Sequence, residues 1–313
     1  MAAAPVHALV LTAGLGTRLQ PLTFARAKPA IPVGGEPMIR RIMRWLASSG
    51  VTDLVLNLHY LPDTITATSG DGSDLRVRVR YSWEQPRVLG SAGGPRLAQD
   101  IVGAETFFIV NGDTLTDLDL CPMADAHARS GALVTLALVP NRRPEQYGGV
   151  RVGLDGRVSG FVPRGSAASS YHFIGVQIVQ AEALRSLAPG TPAQSIGGLY
   201  DTLIENDPGA VRGYVCGARF WDVGTPAEYW ATSSAFADSE GAAGTVCGRE
   251  PRISASARVT RSILWDDVQV GAGATLDECI VTDAVAVPQG SAYRRAILVR
   301  PRGGDSLMVS SLA

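Results

Sequence analysis

The chain has 313 residues, 28 Lys plus Arg against 29 Asp plus Glu for a formal net charge of -1, with 46% hydrophobic and 18% charged residues. A chain of that size makes about two ordinary domains and builds a core without a staple. The balance excludes intrinsic disorder and leaves no basic excess for general nucleic-acid binding. Four cysteines, Cys121, Cys216, Cys247 and Cys279, are spaced too widely for a metal knuckle or a redox pair. Met1 to Pro5 lacks a basic n-region and no apolar run is long enough for a bilayer. Neither a signal peptide nor a membrane segment is expected, and the expected compartment is the reducing cytoplasm.

Val6 to Ala13 is an apolar run ending in small residues, the pattern of a buried strand. A Gly-rich loop follows, and Ile39, Ile42, Met43 and Leu46 give Met38 to Ser49 helical spacing. Asp53 to Leu58 is the next strand. Leu75, Val77, Val79 and Tyr81 alternate with Arg76, Arg78 and Arg80, so this strand has one wet face and belongs near a sheet edge. Phe107 to Val110 is a further buried strand ending at Asn111-Gly112-Asp113, and Leu133 to Val139 is a fifth. Strands separated by helical stretches imply right-handed crossovers and an α/β fold with a mostly parallel sheet. Ligands on such sheets sit at the carboxyl ends of strands, where both Gly14-Leu15-Gly16 and Asp113 fall. Val150 to Cys216 reads as shorter strands with helices at Ala181–Leu187 and Leu199–Glu205, a lid or extension of the same domain.

The tail changes character. Ile253, Val270 and Val287 recur at an interval of seventeen, as do Val259, Leu276 and Tyr293, and Ile263, Ile280 and Ile297, and Leu264, Val281 and Leu298. So short a repeat, without helix formers, suits a β-solenoid whose coils stack apolar positions, with a plain hairpin extension as the alternative. Three coils are close to the minimum, so the tail is expected to pack on the main domain or on another subunit. The expected division is residues 1–240 and 250–303.

The loop Gly14-Leu15-Gly16-Thr17-Arg18-Leu19 is the most informative segment. Two glycines let consecutive backbone N–H groups turn toward anionic oxygens, and Arg18 adds a permanently charged planar fork suited to phosphate. The third glycine of a dinucleotide fingerprint would fall on Leu19, and no Gly-Lys-Ser/Thr follows, so neither familiar phosphate loop fits. Alone, the loop reads equally as an ordinary strand-helix turn. Lys28, flanked by prolines in Lys28-Pro29-Ala30-Ile31-Pro32, is expected on an extended segment that fixes its place. Alone, it is also an ordinary surface charge.

Gly14 to Thr23 with Lys28-Pro29, then Gly90-Ser91-Ala92-Gly93-Gly94, Asn111-Gly112-Asp113 and Trp221-Asp222-Val223-Gly224-Thr225-Pro226, in this order, resemble the sugar-1-phosphate nucleotidyltransferases over about residues 6 to 235. The stretch Gly70 to Asp113 is similar to N-acetylmuramate-1-phosphate uridylyltransferases and mannose-1-phosphate guanylyltransferases. The resemblance implies a Rossmann-like nucleotidyltransferase fold with a short C-terminal left-handed β-helix of hexapeptide type. It also implies that a nucleoside triphosphate and a sugar 1-phosphate give a nucleotide sugar and pyrophosphate.

The attacking phosphate has a second pKa near 6, so it needs no general base. The task is positioning and charge neutralisation. By resemblance, Arg18 and Lys28 are catalytic, with Leu11, Ala13, Gly14, Leu15, Gly16 and Thr17 around the nucleotide phosphates. Gly90, Ser91, Ala92 and Gly93 would approach the base, with Glu84 and Gln85 as edge contacts or simply part of a glycine turn. Asp113 and Asp222 would share Mg²⁺, a hard ion suited to few carboxylates plus phosphate oxygens. Taken alone, either aspartate is equally a cap or turn residue, and Thr225-Pro226 reads as a helix start. Asn111, Tyr147, Gly148, Gly149, Arg164, His172, Phe173 and Gly175 would face the sugar phosphate.

Two departures bear on the acceptor. Where relatives carry Phe-x-Glu-Lys-Pro, this chain has Phe161-Val162-Pro163-Arg164-Gly165, so the sugar-binding glutamate has no counterpart. Phe173 stands where an Asn is common. GTP with a mannose-like phosphate leads; UTP or another triphosphate with an amino-sugar, deoxy-sugar or cyclitol phosphate stays open. A non-catalytic regulatory homologue would be expected to lose Arg18, Lys28 or the aspartates, and all are present. An acyltransferase in the tail would call for a histidine, and none follows His172. No nucleic-acid or membrane partner is expected, and the tail is a candidate for joining identical subunits.

Overall fold

A computed structural model describes residues 5–166, 168–241, 244–304 and 306–312; residues 1–4 of the N-terminal reading above lie outside them. The chain divides into two compact units. Met1–Gly14, Ile42–Pro62 and Ser69–Phe220 form the first; Leu15–Arg41, Asp63–Thr68 and Trp221–Ala313 form the second.

The first unit is built on a nine-stranded sheet. Its strands are β1 (His7–Leu11), β2 (Asp53–Leu58), β3 (Arg78–Trp83), β4 (Thr106–Asn111), β5 (Val134–Pro140), β6 (Gly149–Val152), β7 (Val158–Val162), β8 (Tyr171–Gln180) and β9 (Val211–Val215). The strands β4-β1-β2-β3 are parallel neighbours in that order, with Ala8 opposite Leu54 and Phe108. The strand β3 lies at the edge, as expected, with Val79 buried and Arg78 exposed, but the alternation breaks further along, where Tyr81 is half-buried and Ser82 buried. The region beyond residue 150 joins this sheet. The ten-residue β8 runs antiparallel to β4 on one side and to β5 on the other, and β9 pairs parallel with β5. Alternation of strands and helices does not foresee β8, because its direction is set by pairing across the sheet.

The sheet interior holds Leu9, Phe107, Ile109, Leu136, Leu138 and Val179, all at most 1% exposed. Tyr200, on the helix Tyr200–Asn206, is buried among them, and its hydroxyl donates to Gln177 Oε1 at 2.7 Å. Burial pushes that phenol well above its ordinary pKa. The 181–187 helix is only a 3₁₀ turn, Ala181–Leu184.

In the second unit the tail is a left-handed β-helix of short parallel strands. Each column of the seventeen-residue repeat becomes a row of direct partners: Ile253–Val270–Val287, Val259–Leu276–Tyr293, Ile263–Ile280–Ile297 and Leu264–Val281–Leu298. Met308–Ser311 closes the last coil antiparallel to Ala296–Val299. Two corners of the coil use left-handed backbone without glycine: Glu250, Asp267 and Ala284 at one, Arg261, Glu278 and Arg295 at the other. Such residues are uncommon at positive φ, and ladders between coils hold them. Asp267 N donates to Arg249 O and Ala284 N to Asp266 O, while Arg261 and Arg295 both reach Glu278.

The tail packs within its own unit, against residues 24–41 and the helix Pro226–Ser239. The fully buried Trp265 donates from Nε1 to Tyr229 Oη at 2.9 Å, and that hydroxyl donates onward to Pro32 O at 2.7 Å. Arg26 lies over the Trp265 ring and bridges Asp266 and Asp283. No helix among the described residues is long and apolar enough to cross a membrane.

Candidate functional site

In the second unit the glycine loop is held by what packs beneath it. Gly16 has φ +62, and a Cβ there would come within 2.8 Å of Thr23 Cγ2 and 3.2 Å of Lys28 Cβ. Thr23 Oγ1 donates to Gly16 O at 3.2 Å, so the turn, Thr23 and Lys28 form one packed piece. Thr17–Leu19 is a 3₁₀ turn whose Leu19 is fully buried, which leaves Thr17 and Arg18 exposed on its outer side. The position where a dinucleotide fingerprint needs glycine is thus a core anchor. Lys28 departs from the extended expectation: it opens a 3₁₀ turn, Lys28–Ala30, with extended residues only at Ala27 and Ile31. Proline fits the first turn of such a helix, so Pro29 fixes Lys28 by a different geometry.

Asp222 precedes the helix Pro226–Ser239, which Thr225 caps by accepting from Glu228 N at 3.3 Å. Thr232 Oγ1 donates to Asp222 O at 2.9 Å and fixes the backbone there. A Cβ on Gly224 would lie 3.3 Å from Arg18 Nη1, 3.3 Å from Asp222 Oδ1 and 2.8 Å from Glu228 Oε2. One guanidinium and two carboxylates therefore meet around a glycine that leaves them room. Glu228 is absent from the sequence reading, although Thr225-Pro-Ala-Glu228 has capping-box spacing that would have singled it out.

In the first unit Asp113 is half-buried in the turn after β4, where Gly112 N donates to Leu11 O and Thr114 N to Asn111 O. Leu11 and Asn111 are paired at the ends of β1 and β4, and Ala13 is buried beyond them. The register of β8 slips between Phe173 and Gln177. There Gly175 has φ +80, and a Cβ would lie 2.8 Å from Asn111 Nδ2 and against Thr114 Oγ1. Gly175 is needed for that close approach.

The Gly90–Gly94 run is not a loop. It opens the helix Gly90–Val102, and Ala92, Gly93 and Gly94 are buried. A Cβ on Gly93 would meet the 191–193 backbone, and one on Gly94 would meet Asn57 and Glu84. Ser91 Oγ accepts from Ser195 N at 2.9 Å. Glu84, read as a base-edge contact, is fully buried. Its carboxylate accepts from Asn57 Nδ2 at 2.6 Å and from Leu89 N at 2.7 Å, while Asn57 Oδ1 accepts from Thr12 N at 2.6 Å. This inward chain of bonds ties together the carboxyl ends of three strands. Gln85 is exposed.

On the sugar side of the reading, Tyr147, His172 and Phe220 form an aromatic cluster with centroids 4.1 to 5.8 Å apart, and Arg143 lies 5.2 Å over Tyr147. Phe220 and Arg143 join residues that sequence does not link. Phe173 packs instead against the sheet core, because neighbours along a strand face opposite sides. Gly148 and Arg164 are exposed, whereas Gly149 is buried against Ser170. Asp113 belongs to the first unit and Asp222 to the second. Among the described residues no group of three or more His, Cys, Asp or Glu could hold a metal.

The profile of the nucleotidyl transferase family matches residues 7–239, and that of the GlmU-like C-terminal hexapeptide matches residues 234–297. Mannose-1-phosphate guanylyltransferase of Mycobacterium tuberculosis is 28% identical over 304 residues, covering 88% of this chain and 84% of that protein. UTP--glucose-1-phosphate uridylyltransferase of Synechocystis is 26% identical over 282 residues, covering 85% and 72%. The crystal structure of HddC from Yersinia pseudotuberculosis shares the fold, with a TM-score of 0.63 and 24% identity over 73% of this chain and 98% of that one.

Proposed function

The chain belongs to the nucleotidyl transferase family, and on that premise we propose that it transfers a nucleoside monophosphate from GTP to a mannose-1-phosphate-like acceptor, releasing pyrophosphate. The observation that carries this reading is the meeting of Arg18, Asp222 and Glu228 around Gly224, beside a glycine turn packed on Thr23 and Lys28. A cationic fork and an exposed turn suit a leaving pyrophosphate, and carboxylates suit a hard divalent ion.

The acceptor phosphate arrives ionised, so the protein has no proton to remove and its work is electrostatic. Arg18 and the backbone N–H groups of Gly14 to Thr17 hold the departing pyrophosphate. Lys28 offsets charge at the α-phosphate or the sugar phosphate. Asn111, Tyr147, His172, Arg164 and Gly175 orient the acceptor. Mg²⁺, with Asp113 and Asp222 as its carboxylate donors, would supply Lewis-acid neutralisation of the phosphates. An ion of this type is held by one or two carboxylates plus substrate oxygens. The guanylyltransferase relative is similar over 88% of this chain, which favours GTP. The uridylyltransferase relative makes UTP with another sugar or cyclitol phosphate the second reading. The enzyme is read as cytoplasmic, with the β-helix tail available to join identical subunits.

The test is pyrophosphate release from each common triphosphate paired with a panel of sugar and cyclitol 1-phosphates and Mg²⁺. GTP with mannose 1-phosphate is expected to give the highest rate, and Asp113→Asn to abolish it without lowering the melting temperature. Silence from every pair would overturn the catalytic reading.

A further inference from the structure

The start of the helix Gly90–Val102 is held by a distant strap of the same unit, Thr191 to Ser195. Ala193 O accepts from Ala92 N at 3.0 Å and from Gly93 N at 3.1 Å, while Ala193 N donates to Leu89 O at 2.9 Å. Two first-turn donors of the helix are thereby taken up by protein. Gly93 permits the approach, since a Cβ there would strike Thr191 O. The strap is anchored on its far side too. Leu199 N donates to Gln194 O at 3.0 Å, and Gly197 N and Gly198 N donate to Asp201 Oδ2 at 2.8 and 3.2 Å.

Gln194 sits between these anchors with its side chain exposed. Ser91 Oγ, which accepts from Ser195 N at 2.9 Å, donates to Gln194 Oε1 at 3.1 Å. That bond engages the amide's acceptor and turns its NH₂ over Gly90, where a Cβ would lie 2.7 Å from Nε2. Among the described residues this NH₂ has no acceptor. Gly90 also has φ +79, so both its backbone and the amide above it call for glycine.

A donor fixed at one point has a chemical preference, because it can bind a carbonyl oxygen and cannot bind an amino group. Guanine and uracil carry an exocyclic oxygen where adenine and cytosine carry NH₂. We infer that Gln194 is a specificity-determining residue, whose Nε2 donates to that exocyclic oxygen and so selects guanine and uracil over adenine and cytosine. The inference rests on the nucleotidyl-transfer reading and on its placement of the base at Gly90. It adds a residue outside every motif and a chemical reason for the class of base. Glu84, beside the same helix, cannot do this, since its two oxygens already accept from Asn57 Nδ2 and Leu89 N.

The experiment is calorimetric titration of the whole protein, with Mg²⁺, by inosine triphosphate, ATP, UTP and CTP. Inosine triphosphate and ATP differ only along the base edge that carries the 6-substituent, so their affinity ratio isolates the contact. The wild type is expected to favour inosine triphosphate over ATP, and UTP over CTP, by about tenfold, the worth of one hydrogen bond. Gln194→Ala should bring both ratios close to one. Gln194→Glu keeps an acceptor for Ser91 but replaces the donor over Gly90 by an acceptor, so both ratios should invert. Gln194 is exposed, and melting temperatures are expected to match the wild type. Wild-type ratios near one, ratios unchanged in both variants, or an equal weakening of all four nucleotides would each overturn the inference, the last by showing support without readout. No binding of any triphosphate by the wild type would overturn the nucleotidyl-transfer reading and this inference with it, an outcome distinct from binding without selectivity.

Discussion

Replacing Glu84 by Gln separates two roles for a residue that sequence assigns to base recognition and the fold assigns to support. Both carboxylate oxygens accept, one from Asn57 Nδ2 at 2.6 Å and one from Leu89 N at 2.7 Å, and the residue has no exposed surface. A glutamine amide offers one acceptor and one NH₂, so in either orientation a donor is driven against a donor. That loses one bond to a charged acceptor and strands a buried donor, a cost of about 2–4 kcal/mol. In a protein of this size each kcal/mol lowers the melting temperature by roughly 2 °C, so a drop of about 4–8 °C is expected. Base preference, measured as the GTP to UTP ratio of kcat/KM, should stay within about threefold of wild type. A variant that melts like the wild type but shifts that ratio tenfold would show that Glu84 faces the base after all.

Gly175→Ala forces an alanine to φ +80 and drives its methyl against Thr114 and Asn111. A stability loss of about 2–4 kcal/mol is expected by denaturant unfolding, with turnover reduced through the displaced Asn111; wild-type stability would show the slip in β8 to be soft. Asp266 supplies a pH dependence. Burial alone would raise its pKa, but hydrogen bonds from Arg249 and Arg26 and the charge of Arg26 prevail and hold it below 3.8. A depressed carboxyl contributes stability above its unfolded value and loses it as pH falls through the folded one. Asp266→Asn should therefore melt lower than wild type at pH 7, by about 1–3 kcal/mol of stability, and the gap should close below about pH 3.8. A gap that is constant between pH 7 and pH 3 would remove the ion pair as its cause.

What sequence carries is local covalent order and strict periodicity. The seventeen-residue repeat was legible because every coil is one repeat long, so the spacing along the chain is the pairing across it; Ile263, Ile280 and Ile297 had nowhere else to stack. The edge position of β3 was legible in its arginines for the same reason, since alternation reports which face meets water. Glu84 and the Gly90–Gly94 run have packing partners that sequence does not name, because small residues mark close approach without saying what approaches. Here it is the 191–193 backbone, far along the chain, and the Asn57–Glu84 pair. Phe220 escaped for the complementary reason, since it meets Tyr147 and His172 only after the chain has folded, whereas Glu228 had a local signal in its capping-box spacing. A motif reading thus finds the residues that must be adjacent to act, such as Gly16 and Arg18, and misses those that hold them. The consequence for substitution is specific. Changes at Arg18 should be felt in turnover alone, because it is exposed on its turn, whereas changes at Leu19, its buried neighbour, should be felt in stability first and in turnover through it.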